Sequence, residues 1–387
     1  MSAMPDLTPN TIVAALSVAA FGATMLAILL AALRLCRRRP VFITGEHPVT
    51  VVRPLCGLEP FSEITLRSSF QVRHPDYELI FCVASSSDPV IPVVSRLMEE
   101  HPDSRARLLV GDDRVSANPK LNNCVKGWEA ARTDWVILAD SNVLMPADFI
   151  HRMLSAWRPD TGLVCSTPIG ARPDNFWALV ECAFLNTLQA RWQYAGEALG
   201  LGFAQGKSML WYRPFLDERG GIRALDAEMA EDAAATKLVR RAGLNVHLVD
   251  APFEQPLGIR RPSEIWARQL RWARLRRVTF PLFFAPEILS SPLVPAMALV
   301  WALGASPAVW LSAAGLLALT YAGEAWLASR AGWHLRLGTL PALIVRDLLI
   351  PPVWAAAFLT RNVVWRGNPM HIASGAPRTV TAEAAGS

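Results

Sequence analysis

The sequence is poor in paired cysteines, in charged residues and in internal repeats. Its six cysteines show no CxxC spacing, so neither a zinc site nor a disulfide framework is indicated, and we expect reduced, buried thiols. Only 18% of the residues are charged, and the net charge of +5 comes from arginines beside apolar stretches, without a nucleic-acid-binding motif. These absences exclude a disulfide-stabilised secreted domain and a nucleic-acid-binding protein. They favour an anionic membrane surface as the partner of the arginines.

Apolar sequence is abundant instead. Hydrophobic residues make up 52% of the 387 residues, and the mean hydropathy is +0.25, above the usual range of soluble domains. Residues 11–33 lack charge and are long enough to cross a bilayer, which takes about 20 residues. Arginines follow this run, whereas a cleavable signal peptide carries them before it. We predict that residues 1–40 form an uncleaved anchor, with the following chain in the cytoplasm.

Residues 41–258 alternate between short apolar runs and longer amphipathic stretches. Predicted strands cover 49–55, 78–84, 106–110, 135–139 and 162–167, and predicted helices cover 61–72, 89–100, 120–131 and 146–157. This rhythm is typical of an α/β domain with a mostly parallel sheet, in which ligands bind at the carboxyl ends of the strands.

Two predicted strands run into acidic residues. The carboxylate of Asp88 can either accept a hydrogen bond from the edge of a nucleobase or cap the N-terminus of the next helix. When Asp88 is considered without the other candidates, the helix cap is favoured. Asp140 ends a long apolar strand, and together with Asn142 it offers two oxygen ligands to Mg²⁺ or Mn²⁺ and a diphosphate. A helix cap is the alternative for Asp140 as well, but the strand before it favours a functional role.

Two predicted helix starts carry further candidates. Lys120 and Asn122, in the run N-P-K-L-N-N, make a donor-rich helix N-terminus that suits an anion, with a solvated turn as the alternative. Glu231 and Asp232 begin a helix that ends in basic residues, which dipole complementarity explains without any catalytic role. A general base needs only proximity to the hydroxyl that it deprotonates, so Asp232 stays a candidate.

The segment 259–280 contains the cluster R-Q-L-R-W. On a helix, Arg268, Arg271 and Trp272 lie within about one turn of each other and can share one face. Arginine presents a planar fork of donors to phosphate oxygens, and tryptophan presents a stacking surface. The alternative, favoured when the segment is taken alone, is a basic amphipathic helix lying on an anionic bilayer.

Taken in order, these residues resemble the motif set of the ceramide glucosyltransferase family, whose members are membrane-bound inverting enzymes with the GT-A fold. That set has three spaced aspartates, then Gln or Arg, two spacers and Arg-Trp. The matching residues are Asp88, Asp140, Asp232, Arg268, Arg271 and Trp272. The resemblance covers residues 51–272. It departs from a full Asp-x-Asp metal motif at Asn142, and residues 187–192 lack the histidine associated with animal members.

The resemblance implies one inverting displacement, in which a UDP-sugar gives a single hexose, glucose, to the primary hydroxyl of ceramide. Asp232 would be the base. Arg271, with Arg268 beside it, would stabilise the charge of the departing UDP. Trp272 would pack against the donor or the acceptor.

The nucleotide-sugar is expected to meet a second set of residues. Asp88 would hold the uridine. Asp140, together with Lys120 and Asn122, would hold the diphosphate, directly or through a divalent cation bound by Asp140 and Asn142. The departure at Asn142 weakens the expectation of a strict metal requirement.

Other functions stay open at this point. The closest is a UDP-GlcNAc-dependent hopanoid or other lipid glycosyltransferase of the same design. A polysaccharide synthase is disfavoured by the few spans, and a silent nucleotide-binding scaffold by the intact Asp232 and R-Q-L-R-W cluster. We expect a multi-pass protein of the inner membrane with its catalytic domain facing the cytoplasm.

The chain turns apolar again at residues 281–366, where stretches 293–303, 309–328 and 340–359 predict transmembrane or re-entrant helices. Arg346 and Asp347, with Pro351 and Pro352, indicate that the last stretch is broken or interfacial. An intramembrane functional pair is the alternative. The tail, 367–387, is small and polar and is predicted to be disordered.

Overall fold

The structure, a computed structural model, describes residues 8–37, 40–43, 46–360, 362–365 and 368–371. Its first helix, α1 (Pro9–Cys36), starts where the side chain of Thr8 accepts a hydrogen bond from the backbone N–H of Thr11. Proline suits the first helical position, because its missing N–H has no partner there in any case. The helix has 28 residues and is long and apolar enough to cross a membrane.

Strands and helices alternate after α1. The strands are β1 (Val49–Leu55), β2 (Tyr77–Val83), β3 (Ala106–Val110), β4 (Trp135–Ala139), β5 (Thr161–Cys165), β6 (Ile169–Pro173), β7 (Ser208–Tyr212), β8 (Asn245–Leu248), β9 (Glu254–Gly258), β10 (Asn362–Trp365) and β11 (Asn368–His371). A seven-stranded sheet has the order β3-β2-β1-β4-β7-β5-β8. Within this sheet, β7 runs antiparallel to both of its neighbours, and the other pairs are parallel. The predicted α/β class with a mostly parallel sheet is therefore confirmed.

Helices cover both faces of the sheet and form the C-terminal part. They are α2 (Ser62–Phe70), α3 (Ile91–Glu100), α4 (Pro119–Ala130), α5 (Phe149–Ser155), α6 (Phe176–Cys182), α7 (Arg191–Ala198), α8 (Arg213–Asp217), α9 (Glu231–Arg241), α10 (Pro262–Thr279), α11 (Pro281–Phe284), α12 (Leu293–Leu303), α13 (Pro307–Ala331) and α14 (Thr339–Ala356). A π-helical segment, Ala183–Ala190, joins α6 to α7.

The central strands are buried on both faces, which explains their nearly continuous apolar sequences. Val52 and Leu138 pack with α4 and α9 on one face, and Val51 and Ile137 pack with α2, α3 and α5 on the other. Helix α4 lies close to the sheet at Gly127, where an added Cβ would be 2.3 Å from Cγ1 of Val52. This close packing fixes the N-terminus of α4 at the carboxyl edge of the sheet.

All five predicted strands are present. β1, β3 and β4 coincide with the predicted ranges, and β2 and β5 each begin one residue earlier than predicted. Strands β6 to β9 are not predicted, because they are short runs among longer helices and loops. None of the six cysteines, all of which lie in the described residues, forms a disulfide bond, but Cys36 and Cys56 are exposed, so the expectation of burial is wrong for these two. β11 lies within the tail predicted to be disordered, where it pairs with β10; residues 372–387 lie outside the described residues.

By length and composition, α1, α13 and α14 are candidate membrane spans within the described part of the chain. The last stretch is predicted to be broken or interfacial, and the broken helix is wrong, because α14 continues through Pro351 and Pro352. Pro351 cannot donate to the carbonyl of Asp347, and that carbonyl accepts a hydrogen bond from Oγ of Ser291 instead, at 2.9 Å. The break lies earlier, where Pro281–Ser290 and Leu293–Leu303 form a pair bent by 71°.

A buried ion cluster joins the π-helical segment and α7 to the last two helices. Glu324 of α13 lies 2.5 Å from Nη1 of Arg191 and 2.9 Å from Nη1 of Arg346. Arg346 also pairs with Asp347 and donates to Oγ1 of Thr187 at 2.7 Å. The charged side chains are fully buried, so each charge depends on its partners for compensation.

We predict that Glu324→Gln destabilises the protein by about 3–5 kcal/mol, because two guanidinium groups then lose a shared buried carboxylate. Thermal unfolding in detergent measures the loss. Glu129→Gln is the matched control, since it removes the same charge from an exposed pair with Arg223. Equal melting temperatures for the two variants would contradict the role given to the cluster.

Candidate functional site

One cavity of about 1630 Å³ opens at the carboxyl edge of the sheet and extends to the apolar helices. Charged and amide side chains line one part of it: Lys120, Asp140, Asn142, Lys207, Glu231, Asp232, Arg268 and Arg271. Apolar side chains from α1, α11 and α14 line another part: Leu26, Ala27, Leu30, Phe284, Ile350, Val353 and Trp354. Most of the predicted site residues therefore share one cavity with the candidate membrane helices.

Lys120 is held at the start of α4. Oδ1 of Asn118 accepts hydrogen bonds from the backbone N–H groups of Lys120 and Leu121, at 3.0 and 3.3 Å. The ammonium group of Lys120 lies 2.7 Å from Oδ1 of Asp140, 2.6 Å from Oε1 of Glu231 and 2.5 Å from the carbonyl oxygen of Gly206. These three partners account for its three N–H donors.

Glu231 belongs to this arrangement, which corrects the interpretation that dipole complementarity alone explains its position. Its carboxylate accepts a hydrogen bond from Nδ2 of Asn118 at 2.8 Å, in addition to its ion pair with Lys120. Both of its oxygens are thus engaged by the N-terminal turn of α4. The structure joins α4 to α9 at this point.

Asp140 is paired with two lysines. Oδ1 contacts Lys120, and Oδ2 lies 2.9 Å from Nζ of Lys207. Burial by itself would raise the pKa of Asp140, but the two ammonium groups outweigh it and lower that pKa to about 2. Asp140 is therefore ionised throughout the physiological range.

Lys207 also belongs to the candidate site, although it is not predicted from the sequence. It stands immediately before β7, whose register places Ser208 opposite Ala139 in β4, so Lys207 lies opposite Asp140. The backbone N–H of Asp140 donates to the carbonyl oxygen of Lys207 at 2.9 Å. Lys207 could have been predicted if residues 208–212 had been recognised as a strand that pairs antiparallel with β4.

The residues predicted to bind a divalent cation do not fit one as they are arranged. Nζ of Lys207 lies between Oδ2 of Asp140 and Oδ1 of Asn142, 2.9 and 3.0 Å from them. A cation at this place would meet an ammonium group within contact distance. The described residues also hold no group of three or more His, Cys, Asp and Glu side chains suited to a metal.

Asp232 lies in the first turn of α9 and lines the cavity. Its carboxylate accepts hydrogen bonds from the backbone N–H groups of Gly206, at 3.2 Å, and Ala233, at 2.8 Å. Burial, reinforced by the neighbouring charge of Glu231, raises the pKa of Asp232 to about 6 against the effect of Lys120. A carboxylate with such a pKa is mostly ionised at neutral pH and is a stronger base than an ordinary aspartate.

Two residues predicted to bind the nucleotide-sugar, Asp88 and Asn122, use their side chains in hydrogen bonds with the protein backbone. Asp88 accepts hydrogen bonds from the N–H groups of Gly57 and Val90, at 3.0 and 2.9 Å, and it is not among the residues that line the cavity. Asn122 borders the cavity, but its amide bonds the backbone of Val115 and Ser116. Asp88 therefore shapes the loop after β1, and Asn122 shapes the loop before α4.

The three motif residues of α10 all line the cavity, as their spacing predicts. Arg268 pairs with the buried carboxylate of Glu181, which also lies 3.0 Å from Nε of Arg260. Trp272 packs against a cluster of Ala178, Cys182, Leu185 and Leu257. Glu181 is not predicted from the sequence, although a single acidic residue within the apolar run of α6 indicates a buried carboxylate that needs a partner.

Several known proteins are similar to this chain. Among curated proteins, "Ceramide glucosyltransferase 3" of Caenorhabditis elegans is 27% identical over 338 residues, covering 84% of this chain and 73% of its own length. "Ceramide glucosyltransferase" of Pyricularia oryzae is 24% identical and covers 84% of both chains. Among solved structures, a mannosyltransferase of Pyrobaculum calidifontis in complex with GDP-Man and Mn²⁺ matches with a TM-score of 0.48 at 19% identity, covering 90% of this chain and 99% of that one.

The family assignment comes from the sequence. The model of "Glycosyl transferase family 21" matches residues 12–377, nearly the full length of the chain. The resemblance inferred from the three aspartates and the R-Q-L-R-W cluster is thereby confirmed. The protein is a glycosyltransferase and belongs to glycosyl transferase family 21.

Proposed function

We propose that the protein transfers a single glucose from UDP-glucose to the primary hydroxyl of ceramide, with inversion at the anomeric carbon. One observation carries this proposal: a single cavity joins Asp232 to the apolar side chains of α1, α11 and α14. A water-soluble acceptor has no need of such walls. The names of the curated relatives support ceramide as the acceptor.

The reaction requires one base and one stabilised leaving group. Asp232 accepts the proton of the acceptor hydroxyl while that oxygen attacks the anomeric carbon. The bond from this carbon to the diphosphate oxygen breaks, its electron pair leaves with UDP, and the proton later passes from Asp232 to solvent. Asp232 suits the role because it lines the cavity and is ionised at neutral pH.

The leaving group meets basic side chains. Arg268 and Arg271 line the cavity with Lys120, and guanidinium groups match the geometry of phosphate oxygens. Trp272 belongs to the wall beside them and would pack against the donor or the acceptor. Asp88 would hold the uridine together with the loop after β1, because its carboxylate already accepts a hydrogen bond from the backbone N–H of Gly57 in that loop.

We also propose that residues 1–40 form the membrane anchor and residues 41–258 the catalytic domain on the cytoplasmic face of the inner membrane. The segment 259–280 would lie at the interface, followed by membrane helices. Arg34 of α1 supports a fixed junction, because it pairs with Glu197, at 2.5 Å, and with Asp250, at 2.6 Å. The pairs bind the end of α1 directly to the α/β domain.

A transfer assay with the detergent-solubilised protein tests the function. We expect ceramide and UDP-glucose to give one hexosylceramide, identified by mass spectrometry, and UDP-galactose and UDP-N-acetylglucosamine to give less product. Products from a hopanoid lipid and UDP-N-acetylglucosamine, with none from ceramide, would be consistent with the proposed mechanism but would contradict ceramide as the acceptor. No glycolipid with any donor would overturn the proposed function itself.

We predict that Asp232→Asn lowers kcat by about 10²–10⁴-fold, because the amide cannot accept the proton of the hydroxyl. UDP-glucose binding, measured by calorimetry, should stay within a few-fold of the wild type. Asp148→Asn is the control, since Asp148 is half-exposed and outside the cavity lining. Loss of donor binding in a folded Asp232→Asn protein would contradict the assignment of the base.

We predict a pH dependence that reports Asp232. Below its pKa of about 6 the carboxyl group is protonated and cannot act as a base. The kcat/KM for ceramide should therefore rise roughly tenfold per pH unit up to about pH 6 and then level off. In Glu231→Gln the pH at which kcat/KM levels off should be lower, since the variant removes a negative charge next to Asp232. A profile without a break in this range would speak against Asp232 as the base.

A further inference from the structure

The ammonium group of Lys207 lies where the sequence predicts a divalent cation. It contacts Oδ2 of Asp140 and Oδ1 of Asn142, which belong to the two residues predicted to bind the metal. We propose that Lys207 is the fixed cation of this site and stabilises the negative charge that UDP gains as it leaves. This inference rests on the proposed function and adds one catalytic residue to it.

The two lysines of the site differ in the donors that they can offer. Lys120 uses its three N–H donors on Asp140, Glu231 and Gly206. Lys207 has two partners among the described residues, Asp140 and Asn142, and one of these is neutral. An ammonium group has three donors, so one N–H of Lys207 can reach a phosphate oxygen at the cavity surface. Lys207 is therefore the better placed of the two lysines to bind the diphosphate.

Lys207 is also rigidly placed. The pairing of Ser208 with Ala139 fixes its backbone beside Asp140, and its side chain is 18% exposed where it lines the cavity. A charge that is already in position needs no reorganisation when the leaving group becomes more negative. In the displacement Lys207 would donate a hydrogen bond to the diphosphate and keep its proton. The electron pair of the broken bond stays on the departing oxygen.

The first test removes the charge. We expect Lys207→Met to lower kcat by about 10²–10³-fold, as for the loss of one preorganised donor, while KM for ceramide changes little. Lys207→Arg should retain more activity than Lys207→Met, because it keeps a cation. Lys126→Met is the matched control, since Lys126 is partly buried in α4 but outside the cavity lining. Wild-type turnover by a folded Lys207→Met protein would overturn the inference.

The second test uses the wild-type protein, so it does not depend on the folding of a variant. Turnover should stay within about twofold of its starting value in excess EDTA, because charge-assisted bonds from fixed residues neutralise the diphosphate. Loss of turnover in EDTA and its return with Mn²⁺ would overturn the role of Lys207 and restore the cation at Asp140 and Asn142. Failure of the wild type to transfer sugar to any lipid, with or without Mn²⁺, would instead overturn the proposed function.

Discussion

The interaction on which the candidate site at the carboxyl edge of the sheet depends is the three-way contact of the Lys120 ammonium group. Its partners, Asp140, Glu231 and Gly206, come from the end of β4, the start of α9 and the loop before β7. The Lys120 side chain is only 12% exposed, so its charge depends on these partners for compensation. Because Glu231 is fixed in this way, its neighbour Asp232 is held in the cavity. The ion pairs of Lys120 therefore also fix the position of Asp232, the proposed base.

Much of this arrangement follows from local sequence pattern. All five strands predicted from the sequence are present, and the end of β4 places Asp140 at the edge of the sheet as predicted. The spacing of Arg268, Arg271 and Trp272 on one helix also predicts that they line a common surface. These predictions succeed because each depends on a repeat within a single helix or strand.

The residues that sequence pattern misses depend on pairing between distant segments. Lys207 reaches Asp140 only because β7 inserts antiparallel beside β4, and no periodicity within residues 208–212 states which strand is its neighbour. Glu181 and Arg268 meet through the crossing of two helices that are far apart in sequence. Asp88 shows the opposite limit: its position after β2 is predicted, but its carboxylate is used by the backbone of a neighbouring loop. The sequence therefore predicts the position of such a residue correctly, but it does not predict which group the side chain binds.

For the proposed lipid acceptor, the apolar wall that α1 contributes to the cavity changes the free energy of extraction from the bilayer. Moving a lipid out of its leaflet exposes methylene groups to water, at about 0.8 kcal/mol for each one. Ala27 and Leu30 line the same cavity as Asp232, so a lipid chain that rises along α1 exchanges one apolar contact for another. With the proposed acceptor, the hydroxyl would reach the base while its tails remain covered, and the product would return to the leaflet from which the substrate came.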